Sequence, residues 1–286
     1  MKNFSKRILC VLVLLMSVQN IFSEEKLTAF FNENESAPFK FNIALDSSLL
    51  GVGIAGFSSA YIIEKTLSKS VCNPLEFSLD EVNEFDKLAV NVYNPLLDTF
   101  GDVAVIADVL MPVAAFTIEA LTSNMCFGDL STVALMYAET VFLTEGIKRW
   151  IKISVNRPRP YVYTNSVPEE DVYSADWHLS FPSGHSTAAF MSASFLSYTF
   201  ASYFPESKWK IPVIALSYSI AVTTAALRVC SGNHFITDVA TGAVLGTIMG
   251  FTVPFVHTLT KKNSLTVNSK TEVSILPCGV FVNVKI

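Results

Sequence analysis

Three short stretches of the chain gather the residue types that bind anions and move protons. In the first, Lys152 is followed by Arg159-Pro160, with Lys148, Arg149 and Arg157 adding positive charge. Pro158 and Pro160 end any preceding helix, and only a turn of the backbone brings Lys152 and Arg159 onto one anion. Taken alone, the cluster reads equally well as a solvated basic stretch at a helix end. The second, Phe181-Pro182-Ser183-Gly184-His185-Ser186-Thr187, opens an apolar segment. A hydroxyl, free backbone N–H groups and a glycine at the positive end of a helix make a cradle for phosphate. His185 there is either a helix-start residue without a task or a proton donor beside the anion. In the third, Arg228 precedes His234 and Asp238. If His234 begins a helix, Asp238 lies one turn on along the same face. Its carboxylate can then hold one ring N–H and leave the other nitrogen free as nucleophile or base. Such a pair is often structural, but His178 and His257 lack even that partner. What stands out is the recurrence of these groups at the ends of successive apolar segments.

Those segments must position the three stretches. Val103–Leu121, Leu130–Ile147, Ser186–Phe204, Ile211–Leu227 and Val239–Val256 are each long enough for a membrane-crossing or long buried helix. Leu49–Ile63 is apolar but shorter than the roughly 20 residues a crossing needs. Its Gly51, Gly53, Gly56, Ser58 and Ser59 suit a segment that lies along or dips into a bilayer. Asp108, Glu119, Glu139 and Glu145 interrupt the long segments, so each must face the bundle or sit near an end. Asn73-Pro74 and Asn94-Pro95 mark the connection before them. Near the end of the chain, Thr271–Ile275 and Gly279–Ile286 alternate apolar and polar residues around Pro277, the pattern of a short strand pair.

Composition agrees with a membrane setting. Only 16% of the 286 residues are charged, against about 25% in an ordinary soluble protein. Hydrophobic residues make up 51%, and the mean hydropathy is +0.43. A net charge of −5 and 22 Phe spread through the apolar segments exclude a nucleic-acid wrapper, a coiled coil and a disordered tail. Lys2, Lys6 and Arg7 ahead of the apolar run Ile8–Val18, with Ser23 as a cleavage position, have the pattern of an export signal. Beyond it, Cys72, Cys126, Cys230 and Cys278 permit a disulfide whose pairing the spacing leaves open.

With these motifs in place, the sequence resembles the type 2 phosphatidic acid phosphatase (PAP2) and vanadium haloperoxidase superfamily, whose signatures are Lys-x6-Arg-Pro, Pro-Ser-Gly-His and Ser-Arg-x5-His-x3-Asp. Lys152 to Arg159-Pro160, Pro182-Ser183-Gly184-His185 and Arg228 to His234 and Asp238 match them in order; Leu227 replaces the serine of the third. The resemblance implies an all-α PAP2-type bundle, here transmembrane. It implies a phosphatase that acts on a lipid phosphate or diphosphate with no cofactor. His234 is then the nucleophile, Asp238 its orienting carboxylate and His185 the acid and base. Lys152, Arg159, Ser183, Gly184 and Arg228 hold the phosphate. No metal is expected, since the spacing along the chain shows no Cys, His and carboxylate ligand cluster and three cationic side chains fill the electrostatic role. The haloperoxidase branch, a soluble periplasmic acid phosphatase and a non-enzymatic membrane component are the competing readings.

The expected organisation is a signal peptide or anchor at 1–23, an exported N-terminal region at 24–100, the catalytic helical domain at 101–258 and a tail at 259–286. The three motifs fall on one side of the bundle, while Lys208, Lys210, Lys261 and Lys262 mark the other as cytoplasmic. The site is therefore expected on the extracytoplasmic face of a bacterial inner membrane. That orientation, with residues 1–23 exported, requires five full crossings and a first segment that does not cross.

Overall fold

The computed structural model describes residues 24–66, 72–73, 77–122, 124–174, 176–266, 271–276 and 279–284. The predicted export segment and Cys278 lie outside them. Among the described residues the helices are α1 (Glu24–Phe31), α2 (Ile43–Thr66), α3 (Glu84–Lys87), α4 (Pro95–Leu121), α5 (Phe127–Val155), α6 (Gly184–Tyr203), α7 (Lys210–Cys230) and α8 (Ile236–Thr266). The architecture is an all-α bundle. Two short strands, β1 (Thr271–Leu276) and β2 (Gly279–Val284), follow it and pair antiparallel with Ile275 opposite Val280.

α6 is the axle of the bundle and packs against α4, α5, α7 and α8. Its buried face is rich in small residues, and the hydroxyls of Thr187, Ser197 and Thr199 bond back to carbonyls one turn earlier at 2.7 Å. Polar groups in the centre of the molecule are thereby satisfied within their own helix. α8 lies against α6 along a glycine stripe. A side-chain carbon at Gly242 would come within 2.7 Å of the Ser183 carbonyl, one at Gly246 within 2.2 Å of the Thr187 carbonyl, and one at Gly250 within 2.4 Å of the Met191 carbonyl. Backbone meets backbone there, which only glycine allows. Phe116, Met136, Phe195, Phe200 and Val253 fill the core away from the stripe.

The outer faces are apolar. Phe100, Ile106 and Val113 of α4, Val222 of α7, and Val244 and Ile248 of α8 are all exposed. A contiguous surface of this kind suits lipid better than water. Ile43–Thr66, Pro95–Leu121, Lys210–Cys230 and Ile236–Lys261 are long and apolar enough to cross a membrane. The acids within the apolar segments face inward or sit near helix ends, as expected. Asp108 is fully buried and accepts from Ser217 Oγ at 2.7 Å, and Glu119 accepts from Asn124 Nδ2 at 2.8 Å near the end of α4.

Two boundaries differ from the sequence expectation. α2 has 24 residues rather than a 15-residue apolar core, and at 1.5 Å per residue it extends about 36 Å, enough to cross. Its polar first turn hides the extension, because Asp46 is buried against other helices rather than left in water. Its glycines serve close packing, since a side-chain carbon at Gly53 would lie 2.9 Å from Phe142 Cβ. α4 begins at Pro95, well before Val103. Asn94 accepts from the Leu96 and Leu97 N–H groups at 3.1 and 3.2 Å, and Pro95 occupies the first turn. An Asn cap followed by Pro is a helix start rather than a loop.

Candidate active site

The end of α2, the start of α4, the end of α5, the start of α6, the end of α7 and the residues before α8 meet at one end of the bundle. They enclose a cavity of about 500 Å³ whose walls include Lys152, Arg159, Gly184, His185, Arg228 and His234. Six of the eight residues singled out by the motifs line this cavity, and Ser183 and Asp238 are buried beside those that do.

The turn needed to bring Lys152 and Arg159 together is made by Asn156. This residue ends α5 in the left-handed conformation, φ 52°, which asparagine tolerates better than most side chains. Lys152 donates to the Leu179 carbonyl. Arg159 is held by Asp176, through Nη2 to Oδ2 at 2.6 Å and Nε to the backbone carbonyl at 2.9 Å, and its Nη1 lies 3.2 Å from the Asn233 carbonyl. Burial alone would raise the Asp176 carboxyl, but Arg159 and Lys152 outweigh it and hold it down at about 2.

His234 follows Gly232, whose φ of 78° turns the chain from α7 back toward the cavity. The ring is almost fully buried, with Nε2 3.4 Å from Arg159 Nη1. Burial, then Arg159, Lys152 and Arg228, push its pKa well below the ordinary value near 6.5, so the ring is neutral. Its Nδ1 lies 3.7 Å from Asp238 Oδ2, too far for a direct hydrogen bond. Ser180 Oγ lies beside the pair, 3.4 Å from Nδ1 and donating to Asp238 Oδ2 at 2.5 Å. The histidine and the carboxylate are thus neighbours, as the sequence spacing predicts, with a hydroxyl in contact with both. Asp238 is otherwise engaged by the Phe235 N–H at 2.9 Å and by Arg157 Nη1 at 2.7 Å.

Arg157 is the hub of a second layer. It stacks over the Phe235 ring at 4.0 Å and donates through Nη2 to Asp86 at 2.8 Å. Asp86 is fully buried and also accepts from the Thr237 N–H at 3.0 Å and the Thr237 hydroxyl at 2.6 Å. Burial would raise its carboxyl, but hydrogen bonds from Thr237, Arg157 and Asn83 leave it below the ordinary range. Asp86 and Arg157 therefore pin the start of α8 and with it Asp238.

Across the cavity, His185 in the first turn of α6 places Nε2 2.7 Å from Asp102 Oδ1 on α4. Arg228 donates to Asp98 and lies 3.3 Å from Asp102. Gly101 gives it room, since a side-chain carbon there would sit 3.1 Å from Arg228 Cδ. Ser183 is fully buried, and its hydroxyl caps α6 by accepting from the Ser186 N–H at 3.4 Å. Gly184, not Ser183, faces the cavity. The serine of this motif is used by the helix, which needs an N-cap more than the cavity needs another hydroxyl.

Asp86, Asp98, Asp102, Asp176 and Ser180 belong to the site and were not singled out from the sequence. Asp98 and Asp102 had a signal, an i,i+4 acidic pair on an otherwise apolar helix, hidden by starting that helix at Val103. The others lie in irregular segments whose spacing to the motifs carries no pattern.

A buried imidazole beside clustered cationic side chains thus lies opposite a second imidazole on a carboxylate, at one end of an apolar helical bundle, an arrangement chemically suited to holding an anion. Residues 133–262 match the profile of the PAP2 superfamily. It is 30% identical over 163 residues to lipid phosphate phosphatase 1 of Arabidopsis thaliana, covering 49% of each chain, so it spans about half the length of that relative. Among solved structures it is similar to a transmembrane PAP2-type phosphatidylglycerolphosphate phosphatase from Bacillus subtilis, with 24% identity, 71% of this chain and 94% of that one covered, and a TM-score of 0.44. It is also similar to LpxE of Aquifex aeolicus, with 23% identity, 62% and 98% covered, and a TM-score of 0.39.

Proposed function

We propose that this chain is a phosphatase of lipid phosphates or diphosphates that works through a phosphohistidine on His234. The observation that carries this reading is His234 in the wall of the cavity with its Nε2 3.4 Å from Arg159 Nη1. In the first step Nε2 attacks phosphorus in line, the N–P bond forms and the ester P–O bond breaks, and the departing oxygen takes a proton from His185. In the second, His185 accepts a proton from water as its oxygen attacks phosphorus. The N–P bond then breaks, and phosphate and neutral His234 are released. Lys152, Arg159, Arg228 and the Gly184 N–H at the positive end of α6 stabilise the equatorial oxygens. Their charge supports a reaction that needs no metal at this site.

The exposed apolar faces of α4, α7 and α8 support a membrane enzyme over a soluble periplasmic one. The end of the bundle remote from the cavity carries Lys40, Lys208, Lys210 and Lys261, which favour the cytoplasmic side. The cavity then opens on the extracytoplasmic face of a bacterial inner membrane. Because α2 ends at the cavity, residue 24 starts on the cytoplasmic side in this arrangement, while residues 1–23 lie outside the described part of the chain.

The test is release of phosphate by the purified chain from phosphatidic acid, undecaprenyl diphosphate, phosphatidylglycerol phosphate and a soluble aryl phosphate. Activity that Mg²⁺ does not enhance and that vanadate suppresses is expected, because vanadate mimics the five-coordinate transition state. Absence of release from every lipid, or strict dependence on added Mg²⁺, would overturn it.

A further inference from the structure

A second cluster of ionisable groups lies in the bundle, apart from the cavity. Asp46 in the first turn of α2, Glu139 in the middle of α5 and His257 on α8 are 2%, 0% and 0% exposed. His257 Nε2 lies 3.1 Å from Glu139 Oε2 and 3.9 Å from Asp46 Oδ1. One ligand atom from each of the three falls within 4.8 Å of the others. Glu139 and Lys152 are on the same helix, and the 13 residues between them correspond to about 20 Å, so the cluster is remote from the phosphate cradle.

The hydrogen bonding of the three groups is incomplete. Asp46 Oδ2 accepts from the Asn42 N–H at 2.7 Å, but Asp46 Oδ1 and Glu139 Oε1 are buried without a partner. His257 Nδ1 faces the Lys40 carbonyl at 3.4 Å. A proton on Nδ1 is donated to that carbonyl and leaves the Nε2 lone pair toward the carboxylates, whereas a proton on Nε2 is donated to Glu139 Oε2. The nearby Lys40 and Lys261 ammonium groups donate to the Asn34 and Ala37 carbonyls. Two carboxyl groups and an imidazole thus converge in the buried interior, an arrangement that needs either a shared proton or a bound cation among them.

The donor set selects the kind of charge. One imidazole nitrogen and two carboxylate oxygens, with the far ring nitrogen tied to a carbonyl, are the ligands and outer-shell contact of a zinc-type site. Bonds of about 2.0–2.2 Å in a tetrahedron separate ligand atoms by roughly 3.3 Å, close to the 3.1 and 3.9 Å found here. Calcium, which takes about six to eight oxygens, would lack ligands. We propose that Asp46, Glu139 and His257 bind one zinc-class divalent cation, which fastens α2 and α8 to α5 as a structural staple. The ligands come from three distant parts of the chain, which is why their spacing carries no motif. The proposal is independent of the phosphatase reading.

The test uses the full chain, purified in detergent without chelator, and zinc as the probe. About one equivalent of zinc is expected by elemental analysis, with visible d–d absorption of a tetrahedral site after exchange into Co²⁺. Glu139→Gln and His257→Gln should each weaken zinc binding by more than the about 10–100-fold that loss of an outer-shell partner costs. His234→Ala, at the other site, should keep the metal, and prolonged chelation should lower the melting temperature of the native chain but not of Glu139→Gln. If a variant fails to fold, stoichiometry and the Co²⁺ spectrum in the native and His234→Ala chains decide alone. No stoichiometric zinc in the native chain, equal zinc in Glu139→Gln, or zinc lost with His234 would overturn the proposal. So would a protonated-carboxyl infrared band in the native chain that vanishes in Glu139→Gln, which would show that the three groups share a proton instead.

Discussion

His185 Nε2 and Asp102 Oδ1 are 2.7 Å apart, and this contact joins the first turn of α6 to the start of α4 across the mouth of the cavity. Asp102 is a positioning residue for the proposed acid. His185→Ala should slow hydrolysis of alkyl phosphates by about 10²–10⁴-fold and of aryl phosphates, whose leaving groups need no proton, much less. Asp102→Asn should show the same substrate asymmetry with a smaller loss. Equal damage on both substrate types, measured as kcat for an alkyl and an aryl phosphate, would remove the acid role from this pair.

His234→Ala should abolish turnover and formation of an acid-labile phosphoenzyme together. The pH dependence follows from the neutral ring. Its pKa is lowered, so the nucleophilic form persists as pH falls through the ordinary histidine range and is lost only below it. The kcat/KM for an aryl phosphate, which reports the free enzyme, should therefore show no inflection near 6.5 attributable to His234. A fall centred on that value would contradict the assignment.

The Ser180 hydroxyl touches both partners of the His234–Asp238 pair. Ser180→Ala breaks the link and removes one of the donors to Asp238 Oδ2, at a cost of about 1–3 kcal/mol if no other group replaces it. Phosphoenzyme formation in single-turnover experiments should slow by about tenfold or more, equivalent to about 1.4 kcal/mol or more, while KM stays near its original value. An unchanged rate would show that the ring is oriented by Arg159 and burial alone.

Gly246→Ala places a carbon 2.2 Å from the Thr187 carbonyl. α6 and α8 must separate, and stability should fall by about 1–3 kcal/mol as in other overpacked interiors, read as a lower melting temperature in detergent. Activity should fall further than stability accounts for, because these helices position His185 and Asp238.

Orientation is open to labelling. Glu169 and Lys208 are both exposed, at opposite ends of the bundle. In a cysteine-free background, Glu169→Cys should react with an impermeant thiol reagent on intact cells and Lys208→Cys should not. The reverse pattern would place the site on the cytoplasmic face.

The three motifs made the anion-binding face legible in the sequence because each sits at a helix end, where local chemistry is written in consecutive residues. Asp98, Asp102 and Asp176 were not legible as parts of it, since their partners Arg228, His185 and Arg159 are chosen by packing rather than by spacing. The same holds for α2. Its first turn reads as polar until Asp46 is seen against Glu139 and His257, and its glycines read as weak helix formers until they meet α5. Ser183 is legible as a helix cap as well, since its hydroxyl accepts from the Ser186 N–H at the start of α6.

The glycine contact between α6 and α8 brings the backbones of the two helices together at Ser183, Thr187 and Met191, with only the small side chains of Ser186, Thr187 and Ser194 beside it. The seam is therefore a tight spacer near the site: any residue larger than glycine at 242, 246 or 250 widens it, and the first turn of α6 that carries His185 shifts relative to the start of α8 that carries Asp238.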